Sequence, residues 1–382
     1  MEYTLIATAT FGLEKVVANE LKELGYDDLK IENGKVTFVG DERDIVTCNM
    51  WLRTADRVLI KMAEFKAESF EELFQGTKAV PWGGEYISED GFMHVTGKSI
   101  KSTLHSVPDC QSIVKKAVIE AMKREYVKDW FSEDGAEYKI EVGILKDVVT
   151  LTLDTSGQGL HKRGGYRENA GEAPLKETLA AALVLLSKWE PSRILADPMC
   201  GSGTIAIEAA LIGKNIAPGL NRSFAAEQWD IIPLNMWEEV RKHARSSINK
   251  EDFRILASDI DGRILKTARN NAEKAGVSDY IAFQKMAMED FKSRKKYGVI
   301  ITNPPYGERL NTLKEVEKIY KNLGVVYSEL QDWSCFILTS YEGFEKIFEK
   351  KSDKNRKLYN GRLKCYYYQY IGLEPPKKYY EK

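Results

Sequence analysis

Residues 303–306 read Asn-Pro-Pro-Tyr, directly after the apolar run Val299-Ile-Ile-Thr302. Two successive prolines fix φ and push the residue before each out of the helical region. The turn therefore holds the Asn303 side-chain amide and the Pro304 carbonyl in one arrangement, both as hydrogen-bond acceptors. An exocyclic amine on an aromatic base carries two N–H donors that match such a pair. Its lone pair is delocalised into the ring and attacks poorly. Accepting both N–H bonds makes the nitrogen more tetrahedral and aims the lone pair at an electrophile, with no general base needed beforehand. Tyr306 adds an aromatic face on which a base turned out of its helix can stack. Taken alone, these four residues also read as a plain turn.

A second constellation comes earlier. Arg193-Ile-Leu-Ala-Asp197-Pro-Met-Cys200-Gly201-Ser-Gly203-Thr204 has the pattern of a buried strand ending in an acid, a glycine turn, and a helix opening at Thr204. Glycine lets a ligand lie against the backbone where a Cβ would collide. The helix N-terminus offers unpaired N–H groups and a positive dipole end. Cys200 suits the turn as a small buried residue. Ala206 stands where Gly-x-Gly-x-x-Gly has its third glycine, so dinucleotide binding competes on the turn alone. The surroundings separate the two. A second apolar strand ends in Ser258-Asp259-Ile-Asp261, where an acid can accept from both hydroxyls of a ribose. Asp259 suits that role better than Asp261, which is placed to cap the next helix. Asp290 follows a third strand and is placed to accept from an adenine amino group, although a solvated loop acid fits there too. This order of features suits S-adenosyl-L-methionine, whose sulfonium methyl would be the electrophile at the Asn303 turn.

Such residues need a scaffold. After Pro174 the pattern runs helix, strand, glycine turn, helix, strand, helix, strand, which predicts an α/β, doubly wound, mostly parallel sheet of Rossmann-like type. Residues 210–250, between its first two strands, exceed a minimal unit; Trp229, Trp237 and Arg222 there suit a substrate-side wall or a surface insertion. The basic, glycine-rich stretch 157–167 reads as a linker. Residues 1–155 also alternate strand and helix: a strand at 3–8, a helix with Leu13, Val17, Leu21 and Leu24 on one face, and an Asn33-Gly34 hairpin. Helices are predicted over 44–56, from an N-cap at Ser69, and over 113–126. Strands are predicted at 58–65 and 92–95, and as a hairpin around Lys146-Asp147.

Of 382 residues, 43% are hydrophobic and 30% charged, with a net charge of −1. That is the profile of a soluble chain with room for two or three cores, and any nucleic-acid contact must be carried by local charge. Two basic stretches qualify: 161–167, and 346–364 with eight Lys/Arg against two acids. The following Tyr366-Tyr-Tyr-Gln-Tyr370 could stack on single-stranded RNA, but better fits a terminal strand with alternate faces buried. Five scattered cysteines with no C-x-x-C pair argue against disulfides and structural zinc, and for a cytoplasmic protein. None lies near the fourth strand, where a 5-methylcytosine enzyme would carry its nucleophile. No metal and no membrane partner are expected, since no run approaches the length of a span.

Several segments resemble the class I methyltransferases, and within them the THUMP-containing RNA guanine-N2 group of the RlmL type, which acts on 23S rRNA. They are His161-Lys-Arg-Gly-Gly-Tyr-Arg167, Ala173-Pro-Leu-Lys-Glu-Thr178-Leu-Ala-Ala-Ala182, Ile216-Ala-Pro-Gly-Leu-Asn-Arg222, Ser258-Asp-Ile-Asp261, Asn303-Pro-Pro-Tyr-Gly-Glu-Arg-Leu310 and Leu358-Tyr-Asn-Gly361. The resemblance implies a ferredoxin-like subdomain at 1–68, a THUMP RNA-binding domain at 69–155, a linker at 156–172 and a methyltransferase domain at 173–382. It places Asp197, Gly201 and Gly203 around the methionine end of S-adenosyl-L-methionine, with Cys200 and Thr204 in the same turn. Thr178 lies on a helix beside the cofactor, Asp259 on the ribose and Asp290 near the adenine. Asn303, Pro304 and Tyr306 hold a target guanine, with Asn303 also bordering the cofactor. Lysines and hydroxyls in Val95-Thr-Gly-Lys-Ser-Ile-Lys-Ser102 would suit phosphates. RNA is the implied partner, rRNA ahead of tRNA. The Asn303 turn itself would accept an adenine N6 amine equally well, and an RNA-binding assembly factor on the same fold is the non-catalytic alternative.

Overall fold

The computed structural model describes residues 1–84, 86–167, 175–306 and 313–376. They form two compact units, each assembled from separated segments. Met1–Ala9, Val17–Leu160 and Gly219–Ala244 make the first; Thr10–Val16, His161–Pro218 and Arg245–Lys382 make the second.

The first unit is built on seven strands: β1 (Tyr3–Ala9), β2 (Lys30–Glu32), β3 (Lys35–Gly40), β4 (Ala55–Lys66), β5 (Phe92–Ile100), β6 (Glu137–Leu145) and β7 (Val148–Asp154). The helices of this part of the chain are α1 (Glu14–Glu23), α2 (Glu42–Trp51), α3 (Phe70–Lys78) and α4 (Val107–Tyr126). The strand order is β2-β3-β1-β4-β7-β6-β5. Its first four strands have the order that a βαββαβ ferredoxin-like unit produces. Antiparallel pairing of β4 with β7 then continues the same sheet.

Two expectations change here. The helix predicted over 44–56 runs from Glu42 to Trp51, because an Asp41–Asp44 capping box starts it early and β4 already begins at Ala55. The strand predicted over 92–95 continues to Ile100, paired in parallel with β6 along its whole length. Most of the segment expected to meet phosphates is therefore sheet, and Lys98 is held by Glu141 at 2.6 Å.

Residues 219–244 return to the first unit and pack into it rather than forming a surface insertion. Trp229 is buried, stacks on Tyr138 of β6 with ring centroids 4.9 Å apart, and donates its indole N–H to the Glu137 carbonyl at 3.0 Å. Trp237 is buried and stacks on Phe224 at 5.2 Å. The Arg222 guanidinium donates to the carbonyls of Ser156, Gln158 and Gly159 at 3.1, 2.5 and 2.8 Å. At Gly219 an added Cβ would lie 2.8 Å from the Asn49 carbonyl oxygen, so only glycine permits that approach.

The second unit carries β8 (Leu195–Asp197), β9 (Ile255–Asp259), β10 (Ile281–Lys285), β11 (Val299–Thr302), β12 (Ser334–Thr339), β13 (Lys354–Asn360) and β14 (Leu363–Tyr370). Their order is β10-β9-β8-β11-β12-β14-β13. The first five are parallel, and β14 runs antiparallel to both neighbours. The other α-helices among the described residues are α5 (Glu177–Ser187), α6 (Thr204–Gly213), α7 (Leu234–Ser246), α8 (Gly262–Lys274), α9 (Leu313–Glu329) and α10 (Phe344–Ile347). The sheet is the doubly wound, mostly parallel kind that the sequence predicts. Tyr367, Tyr368 and Tyr370 of β14 are buried, so that aromatic run is core.

The chain passes from the first unit to the second at Leu160/His161, and the arginines that follow are held within the second unit rather than offered to a partner. Arg163 forks onto Glu208 of α6, Nε to Oε1 at 3.2 Å and Nη2 to Oε2 at 3.1 Å, with side chains 2% and 0% exposed. The Tyr166 hydroxyl donates to the same carboxylate at 3.1 Å. Arg167 pairs with Glu177 at 3.1 Å and donates to the Leu175 carbonyl at 2.6 Å and the Thr204 hydroxyl at 3.1 Å. Glu208 lies on a helix buried on nearly every side, and a carboxylate there requires a desolvated counter-charge.

Candidate active site

Parallel strands β8, β9 and β11 end at Asp197, Asp259 and Thr302 along one edge of the sheet. Crevices at that carboxyl edge are where open α/β sheets take ligands. Here the edge opens a cavity of about 750 Å³. Gly201, Asp259, Ile260, Met288 and Glu289 line it from the β8, β9 and β10 ends, and Asn303 to Tyr306 from the end of β11. Pro198, Met199, Lys176, Ile319 and residues 360–363 complete the described wall.

Gly201 has φ +52°, and a Cβ built on it meets nothing within 4 Å, so its backbone faces open space. Its N–H donates to Asp259 Oδ2 at 2.9 Å, while the Asp261 N–H donates to Asp259 Oδ1 at 3.0 Å. Both carboxylate oxygens are thereby fixed, and each keeps acceptor capacity toward the cavity. A glycine-lined opening beside a pinned acid at a strand end fits an adenosyl group. Asp261 accepts from the Arg263 N–H at 2.8 Å and caps α8.

The other cofactor candidates stand behind this wall or away from it. Gly203 has φ +83°, and a Cβ there would come within 3.1 Å of Ala268, so this glycine serves close packing of α6 on α8. Thr178, Asp197, Cys200 and Thr204 are buried, and none lines the cavity. Asp290 is exposed and lies outside the lining, because the short turn Met288–Asp290 directs Met288 and Glu289 there instead. Pro174 and residues 307–310 fall outside the described residues.

Asp197 couples the two halves of the site. Its Oδ1 accepts from the Thr302 hydroxyl at 2.8 Å, the last residue of β11 before Asn303. Burial pushes its carboxyl up to about 7. The folded state therefore keeps a proton that the unfolded chain releases near pH 4, and stability falls as pH rises from about 4 to about 7. Asp197→Asn should flatten this slope, by about 3 kcal/mol between pH 5 and pH 8. Urea unfolding at pH 5 and pH 8 measures it; an unchanged difference between the two pH values would place the titration elsewhere.

At the acceptor turn, the Tyr306 hydroxyl donates to the Asn303 amide oxygen. Burial holds that hydroxyl well above its ordinary range, so it stays a donor. The Pro304 carbonyl accepts no hydrogen bond among the described residues. Tyr320, buried on α9, donates to the Pro305 carbonyl at 2.8 Å and sits 2.8 Å from the Thr339 hydroxyl, bracing the turn from below. Sequence reasoning missed Tyr320, which looks like any apolar-face residue of a helix. It also gave no role to Met288 or Glu289, and took Arg362 only as part of the basic stretch 346–364.

Among the described residues, no cluster of three or more His, Cys, Asp or Glu could hold a metal, and no helix is long and apolar enough to cross a membrane. All five cysteines are buried, and none forms a disulfide among the described residues.

Comparison with known proteins agrees with this geometry. The RMKL-like methyltransferase domain matches residues 164–369, the RlmL ferredoxin-like domain residues 4–59 and the THUMP domain residues 67–154. A Bacillus subtilis (strain 168) protein named "Putative RNA methyltransferase YpsC" is 52% identical over 99% of this chain and 98% of its own. A solved Listeria monocytogenes structure, named as a predicted N6-adenine-specific DNA methylase, is 51% identical with a TM-score of 0.93, covering 98% of this chain and 97% of that one. The methyltransferase SMU.472, described as putative and complexed with SAH, is 44% identical with a TM-score of 0.93 over 98% and 99% of the two chains. With three domain matches in order and full-length relatives near half identity, this chain belongs to the RMKL-like methyltransferase family, with an RlmL ferredoxin-like domain and a THUMP domain ahead of the catalytic one.

Proposed function

We propose that this protein transfers a methyl group from S-adenosyl-L-methionine to the exocyclic N2 of a guanine in RNA, in 23S rRNA ahead of tRNA. The observation that carries the reading is one cavity joining Gly201 and Asp259 to the Asn303–Tyr306 turn. The relative SMU.472 is complexed with SAH, the demethylated form of that donor. The THUMP and RlmL ferredoxin-like domains support RNA, and the second of these supports rRNA.

The bound cofactor supplies a sulfonium methyl as the electrophile. Asp259 accepts from the ribose hydroxyls, and Gly201 admits the methionine portion against its backbone. Asn303 Oδ1 keeps one acceptor site beside the Tyr306 hydroxyl and takes one N–H of the target amine; the Pro304 carbonyl takes the other. These two bonds orient the nitrogen lone pair along the transfer line. The amine nitrogen would take the methyl group, leaving SAH, and would lose its excess proton to water.

An adenine N6 amine offers the same two donors, and the Listeria relative carries that name, so the acceptor base is the point to test. Nucleosides from rRNA and tRNA of a deletion strain, read by mass spectrometry, should lack N2-methylguanosine in one RNA. Loss of only N6-methyladenosine would overturn the guanine reading. Binding of RNA by the purified protein with no methyl transfer to any of it would favour the assembly-factor alternative.

A further inference from the structure

One wall of the cavity has no task in the reaction just described. Asn360, Gly361, Arg362 and Leu363 line it, and they form the tip of the β13–β14 hairpin. Asn360 pairs with Leu363, so Gly361 and Arg362 make a two-residue loop. Gly361 takes φ +62° in the first central position, where a short hairpin demands glycine. The tip is therefore a fixed platform. Its location follows from strand direction. β14 runs antiparallel to β12 with Thr339 opposite Tyr366, so Leu363, the first residue of β14, lies past the carboxyl end of β12. That is the edge at which β11 delivers Asn303. Only β12 separates β11 from β14, a spacing of roughly 10 Å. A base held at Asn303 and an arginine side chain reaching from the tip can span it.

Arg362 is exposed and has no hydrogen bond or ion pair among the described residues. This sets it apart from Arg163, Arg167 and Arg356 of the same unit, each bound to a carboxylate or carbonyl. It is the one guanidinium among the described residues lining the cavity.

We propose that Arg362 determines base specificity by donating to O6 and N7 of the target guanine. The inference rests on the guanine-N2 reading above and deepens it. Guanine with its N2 amine on Asn303 and Pro304 presents two adjacent acceptors, O6 and N7, at its far end. A guanidinium fork matches that pair in two parallel bonds. Adenine held by its N6 amine keeps N7 close to that amine and turns C2–H and N3 away, so the fork meets no acceptor pair. The Asn303 turn cannot tell the two amines apart; the hairpin tip can.

The test uses a synthetic RNA oligonucleotide spanning the nucleotide that loses its methyl group in the deletion strain, made with guanine or 2-aminopurine at that position. 2-Aminopurine keeps the N2 amine and N7 and lacks O6. The wild-type protein should prefer guanine in kcat/KM by about 10- to 100-fold. Arg362→Ala should lose much more rate on guanine than on 2-aminopurine, which offers the arginine only N7, and so lower the preference at least fivefold, with an unchanged melting curve. Arg362→Lys should recover only part of the preference, because an ammonium reaches the same acceptors without the planar fork. Equal losses on both substrates, as a phosphate contact would give, overturn the proposal. So does an unchanged preference, or full rescue by lysine. Failure of the guanine-N2 reading would show separately, in the product made by the wild-type protein.

Discussion

Asn303→Ala should lower kcat by at least 100- to 1000-fold while the affinity for SAH, measured by calorimetry, stays within about threefold of wild type. The split follows from what the side chain does. Its amide oxygen receives the Tyr306 hydroxyl and faces the cavity, whereas the cofactor side is built from Gly201 and Asp259 on other loops. Removing the amide deletes one of two acceptors that bring the amine nitrogen toward tetrahedral geometry, an effect larger in the transition state than on binding. It also leaves the buried Tyr306 hydroxyl without its acceptor. Tyr306→Phe, which spares the acceptor and removes only its orienting donor, should cost about tenfold. An alanine variant that keeps near-normal turnover would take Asn303 out of the chemistry.

Glu208→Ala should produce the largest loss of stability of any single change discussed, about 3–5 kcal/mol. The carboxylate receives both arms of Arg163 and the Tyr166 hydroxyl with no exposure to water. Its removal takes the hydrogen-bonded carboxylate away from a desolvated guanidinium, which costs far more than the pair contributes while intact. The same logic makes a sharper prediction. Arg163→Met combined with Glu208→Leu should recover much of the loss, because replacing a buried pair by apolar side chains is often close to neutral. Urea unfolding followed by fluorescence gives both values. A double variant as unstable as the single one would mean that the pair fixes a geometry apolar packing cannot.

The chemistry of the site was legible in the sequence because it depends on local covalent facts. Two prolines fix the Asn303 turn, a glycine opens the backbone at residue 201, and an acid closes the second strand at residue 259. Each acts within a few residues of itself. Residues 161–167 show what was not legible. Their arginines look like a surface for RNA until Glu208, some 40 positions away, is found opposite Arg163. Arg222, Trp229 and Trp237 were equally ambiguous, since nothing in their own segment says which sheet they cover. Gly203 is a third case: the pattern cannot distinguish a glycine that admits a ligand from one that admits Ala268. Asp290 and Glu289 differ only in which way a single turn faces.

The return of residues 219–244 to the first unit has a consequence for the order of events during synthesis. Strand β7 ends at Asp154, yet the tryptophan that stacks on Tyr138 is residue 229, and Arg222 must bridge the carbonyls at 156–159. A nascent chain elongating at about 5–20 residues per second therefore displays an unfinished apolar sheet face for several seconds after its last strand has emerged. Holding chaperones should engage the ribosome-bound chain in that interval and release it once residue 244 clears the exit tunnel. A fragment beginning at residue 161 should inherit the mirror problem, with Trp229 translated and Tyr138, on which it stacks, missing.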